Sequence, residues 1–65
     1  MPYYRFFFTD AERSIVGHVV LELDDDASAQ LRADSMLVRS IYPGIEVWDC
    51  ARLFYRKMRN EGGDG

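Results

Sequence analysis

The chain has 65 residues, a formal net charge of −3 and a single cysteine, with a pI near 4.9. A chain of this length makes one domain, buries only about 60% of its unfolded surface and has little stability to spare. Its acidic balance argues against a general binder of nucleic acid or of anionic membrane. No apolar run approaches the ~18 residues needed to cross a bilayer.

Cys50 is alone, so no disulfide can form within the chain. Cys50 and His18 also fall short of the roughly four ligands of a structural zinc site, and no cofactor is expected. Stability must then come from oligomerisation or from an efficient core, and the 48% apolar content permits a core. The N-terminus shows no basic stretch followed by an apolar one. With the lone cysteine, this predicts a cytoplasmic chain.

Tyr3 to Thr9 is predicted as a strand, because dense aromatic residues favour a pleated surface. On a period of two, Tyr4, Phe6 and Phe8 share the core face, and Tyr3, Arg5 and Phe7 share the less buried one. Asp10 to Ser14 is polar and predicts a hairpin loop. Ile15 to Leu23 predicts a second strand, with Val19, Leu21 and Leu23 inward and His18, Val20 and Glu22 outward. Gly17 weakens this strand or marks a bulge.

Asp24, Asp25 and Asp26 stop the strand and open a helix, because Asp caps free N–H groups and suits the positive end of the helix dipole. A calcium loop needs spaced ligands, a glycine and a distal Glu, and none of these follows. Ala27 to about Ser40 predicts the helix, with Ala29, Ala33, Met36 and Leu37 as its core stripe. A second apolar row, Ala27, Leu31 and Val38, is broken by Asp34. Either loops cover that row or it meets another chain.

Tyr42, Pro43 and Gly44 end the helix and turn the chain. Ile45 to Trp48 and Arg52 to Lys57 predict a second hairpin, with Asp49 and Cys50 as its two-residue turn. That register sets Trp48 against Ala51 and Ile45 against Phe54. Such turns need positive φ, and Cys50 stands where glycine is expected. The expected fold is therefore α+β: a two-layer ββαββ domain over residues 1–59, with an antiparallel sheet and one helix on one face. Residues 60–65 are Gly-rich and are expected to be a flexible tail.

The segments Tyr3 to Phe8 with Asp10, Ile15-Val16-Gly17, Asp25-Asp26 before an Ala-rich helix, and Ile45 to Asp49 with Ala51-Arg52 resemble a family of very short bacterial proteins of unknown function. The resemblance covers most of residues 3–57 and is most specific from Ile45 to Arg52. It implies a bacterial cytoplasmic origin and carries no activity and no site residues. Glycine usually follows the Trp-Asp pair in that family, so Cys50 is a departure.

Three classes of function can be set against these residues. As an enzyme, the chain offers a His18–Cys50 nucleophile pair with no residue at a recognisable spacing to orient the imidazole. It also offers Pro2, which would be N-terminal once Met1 is removed. A proline there is the general base of the small tautomerases, but those resemble β-α-β-β, and this chain inserts a strand before its helix. As a nucleic-acid module, it offers Tyr3, Arg5 and Phe7 on an open sheet face for base stacking, with Arg52, Arg56, Lys57 and Arg59 as a basic cluster. The acidic balance disfavours that reading.

The favoured expectation is a non-enzymatic interaction or structural module. Its partner would be a second copy, giving a homodimer, or another protein. Apolar patches and Trp, Tyr and Arg side chains mark contact surfaces. Tyr3, Arg5, Phe7 and Trp48 on the sheet, and Leu31 and Val38 on the helix, are the candidate interface residues.

Overall fold

The computed structural model describes residues 2–59. The element order is β1 (Tyr3–Thr9), β2 (Ile15–Glu22), α1 (Asp26–Arg39), β3 (Gly44–Asp49) and β4 (Arg52–Met58). The strands form one antiparallel sheet in the order β2-β1-β3-β4, and α1 packs against β3 and β1. This is the expected two-layer ββαββ architecture. The expected tail, residues 60–65, lies outside the described residues.

The core follows from the two periodicities. Tyr4, Phe6 and Phe8 of β1, with Ile45 and Val47 of β3, form one buried cluster with Ala29, Ala33 and Leu37 of α1. Large side chains on the sheet face small ones on the helix, which lets the two layers approach closely. Met36 is half-buried at the edge of this cluster. Leu31 and Val38 are 71% and 75% exposed, so among the described residues no loop covers them.

Of the three aspartates before the helix, Asp25 is the N-cap, and its Oδ1 accepts the Ser28 N–H at 2.8 Å. That backbone bond holds the Asp25 carboxyl below its ordinary pKa of 3.8. Its share of helix stability is therefore present above that value and is lost as pH falls through the lowered one. Asp26 begins the helix and ties it to the sheet. Its Oδ1 accepts the Tyr4 hydroxyl at 2.8 Å, and its Oδ2 lies 3.6 Å from Arg52. At the other end, Ser40 caps the helix, and the Arg59 guanidinium donates to the carbonyls of Leu37, Ser40 and Tyr42. A cation there meets the last carbonyls of the helix and the negative end of its dipole.

The first hairpin loop is held by Asp10, whose Oδ1 accepts the N–H groups of Glu12 and Ser14. The register shifts between Phe8 and Thr9, so that Thr9 pairs with Ile15 while Gly17 pairs with Phe8. Gly17 thus stands beside a bulge, as one of its two expected roles required. Thr9, Gly44 and Met58 make a row at the far end of the sheet. A Cβ on Gly44 would come within 2.6 Å of the Thr9 hydroxyl. Glycine is there because the neighbouring strands leave no room.

The second hairpin differs from expectation. Its turn residues are Cys50 and Ala51, because Asp49 remains in β3 and pairs with Arg52. Trp48 pairs with Leu53 rather than Ala51, and Ile45 pairs with Lys57 rather than Phe54. The turn sits one residue later than expected, which sets Trp48 against Leu53, and a register shift at Val47/Trp48, where Phe54 is the extra residue of a bulge, adds one further step at Ile45. Phe54 still turns to the helix side, edge-on to Tyr4 at 5.7 Å. Cys50 has φ 58°, a left-handed conformation that glycine adopts without steric cost. Cys50→Gly is expected to stabilise the fold by about 1 kcal/mol and to raise the melting temperature by several degrees. A melting curve that is unchanged or shifted down would contradict this account of the turn.

Candidate functional site: the open sheet face

With α1 on one face, no described element packs over the other face of the sheet. By register, Tyr3, Arg5 and Phe7 of β1 stand beside Glu22, Val20 and His18 of β2, and Arg5 and Phe7 stand beside Trp48 and Glu46 of β3. The aromatic side chains make a continuous row. Phe7 stacks on His18 at 4.8 Å with 10° between planes, and meets Trp48 edge-on at 6.3 Å and 88°. His18 is directly opposite Phe7. Trp48 is its diagonal neighbour, within reach because both rings are long. The Trp48 Nε1 donates to Glu46 Oε1 at 3.2 Å, which orients the indole.

This face is partly apolar and exposed. Tyr3 is 63% exposed and Val20 is 47% exposed, while Phe7 and Trp48 are half-buried by their neighbours. Its charges are mixed, with Arg5 and Arg56 set among Glu22 and Glu46.

The basic cluster read from the sequence does not assemble here. Arg52 turns to Asp49 at 3.2 Å and to Asp26 at 3.6 Å. Lys57 lies 3.4 Å from Asp34 of the helix, and Arg59 closes the helix C-terminus. Only Arg56, opposite Glu46, belongs to the outer face. Strand alternation and the bulge at Phe54 send the other cations to the helix side, where each meets an acid or a carbonyl.

The candidate interface residues also divide. Tyr3, Arg5, Phe7 and Trp48 come together on the outer face. Leu31 and Val38 lie on the solvent side of α1, beyond the core, so one flat contact cannot include both groups. Ile41, 90% exposed just after the helix, adds to the helix side. Ile41 is not among the expected interface residues, and its signal in the sequence is a large aliphatic residue before the Tyr-Pro-Gly turn. His18 and Val20 are members of the outer face as well, and their outward set in the period-two pattern of β2 was the signal for them.

His18 and Cys50 are not brought together. His18 is level with Phe7, whereas Cys50 lies past Asp49, which is level with Tyr4, and two strands away. Pro2 precedes β1, and its carbonyl accepts the Leu23 N–H at 3.1 Å. Among the described residues, no group of His, Cys, Asp and Glu could hold a metal ion, and no helix is long and apolar enough to cross a membrane. A shallow open groove of about 500 Å³ runs between α1 and the end of β2, and Leu23, Leu31 and Arg32 are among its walls. It holds neither His nor Cys. No protein-family model, no curated protein and no solved structure matches this chain, so a functional reading stands on the fold and on the residues it leaves open.

Proposed function

We propose that this chain is a non-enzymatic interaction module that self-associates. The observation that supports it is the amount of large apolar surface left open on so small a domain. Tyr3, Val16 and Val20 are 63%, 46% and 47% exposed, and Leu31, Val38 and Ile41 are 71%, 75% and 90% exposed. Small monomers rarely leave such surface in contiguous patches unless it is a contact surface. A short chain without a disulfide also gains most from burying it against a second copy.

The test is the solution mass by light scattering in reducing buffer, across a tenfold dilution series. A mass near twice 7.6 kDa is expected at the concentrated end. A strict monomer throughout overturns self-association. The chain has one tryptophan, so Trp48 emission reports on the outer face. A blue shift as the mass doubles, lost in Phe7→Ser, assigns the contact to that face. Loss of association in Leu31→Ser assigns it to the helix row.

A further inference from the structure

We infer that a second copy of this chain joins along the free edge of β2, the two β2 strands pairing antiparallel about a two-fold axis to give one eight-stranded sheet. The inference rests on the self-association reading and names the surface it uses.

The backbone carries the argument. The Leu23 N–H donates to the Pro2 carbonyl, across the β1–β2 pair. In an antiparallel pair, alternate residues direct both backbone groups to the same side. Leu21, Val19 and Gly17 therefore turn theirs toward Tyr4, Phe6 and Phe8, the residues they pair with. His18 and Val20 direct an N–H and a C=O each the other way, off the edge of the sheet, because β2 is an end strand. Such a row is a template for another strand.

The two end strands are not alike. β4 carries Arg52, Arg56 and Lys57 within seven residues, the kind of charge that natural edges use to prevent pairing. β2 has eight residues, IVGHVVLE, with Glu22 as its sole carboxylate and no Lys or Arg. Pairing β2 with the β4 of another copy would run head to tail and leave the sheet open to further growth. Pairing β2 with β2 closes at two copies.

The side chains fit the same partner. Placing the axis at Val19 sets His18 opposite Val20 of the second copy and uses the outward groups of both residues in four hydrogen bonds. Val19 then meets Val19 of the second copy on the helix side. It is half-buried there, because α1 packs over β3 and β1. On the outer face the two His18–Phe7–Trp48 rows become continuous across the seam, and Val20, 47% exposed in the single chain, is covered in part by His18 of the second copy.

Backbone hydrogen exchange by NMR, read alongside the mass, tests the seam. The amides of His18 and Val20 are expected to be protected where the mass is doubled and to exchange at least tenfold faster where it is not. Fast exchange of both in the doubled species overturns the inference. Val20→Pro removes an outward N–H and no β1–β2 bond, so a folded monomer is expected. Val19→Lys, which sets two cations face to face at the axis, gives a second route to the same result if the proline variant does not fold. Association that survives in folded Val19→Lys but is lost in Phe7→Ser moves the contact to the sheet face and leaves self-association standing. A monomeric wild type overturns both readings.

Discussion

Phe6→Ala is expected to leave the chain largely unfolded at room temperature. Phe6 is fully buried at the centre of the sheet, between Val19 of β2 and Val47 of β3 in register and within the cluster that holds Ala29 and Ala33. The helix residues over it are alanines, which have no longer side chains to move into the vacated space. Truncating a buried Phe to Ala costs about 3–5 kcal/mol when the cavity cannot collapse. A domain of this length has roughly 3–10 kcal/mol in all. Far-UV circular dichroism with a thermal melt checks it. Phe6→Leu, which keeps most of the volume, should retain a cooperative transition at a lower temperature. A melt of Phe6→Ala within a few degrees of wild type would show that the aromatic row is not what holds the layers together.

The second large effect is expected at alkaline pH. Tyr4 and Tyr55 each anchor the sheet to the helix. The Tyr4 hydroxyl donates to Asp26 at 2.8 Å and the Tyr55 hydroxyl to Asp34 at 2.6 Å. Burial, and then the bonded carboxylate, push both phenols from 10.0 up to about 12. Both effects favour the neutral phenol. A raised pKa in the folded state means that the native chain holds its proton where the unfolded chain releases it. The stabilisation is thus complete below pH 10 and is lost as pH rises from about 10 to 12. Urea midpoints measured at pH 8, 9 and 11.5 should hold between the first two and fall at the third. Tyr55→Phe should be less stable at neutral pH, because Asp34 loses the shorter of its two hydrogen bonds and keeps only Lys57, and should show a smaller alkaline loss. A midpoint unchanged to pH 11.5 would mean that these hydroxyls are not protected in solution.

These anchors show where sequence reading stops. Nothing local to Tyr55 or Lys57 points to Asp34, which breaks the apolar helix row and is 21 positions from Tyr55. The same holds for Arg59, whose bonds reach 17 to 22 positions back to the helix end. Read by itself, the C-terminal segment is a run of cations suited to an anion. Folded, three of its four cations lie against the helix.

What the sequence determined by itself is what depends on neighbours in the chain. The span Tyr3–Thr9, the inward row of Tyr4, Phe6 and Phe8, the Ala29-Ala33-Leu37 stripe, the capping role of the aspartates and the ββαββ order all follow from periods of two and 3.6. Backbone preferences act over a few residues, and so they are legible. The sheet order β2-β1-β3-β4, the second turn at Cys50–Ala51 with the bulge at Phe54 behind it, the dispersal of the C-terminal cations and which strand lies at the edge of the sheet were decided only by tertiary structure. Each depends on how one strand's twist, register and extra residue meet another's, and a one-residue slip in that meeting changes which side chains share a face.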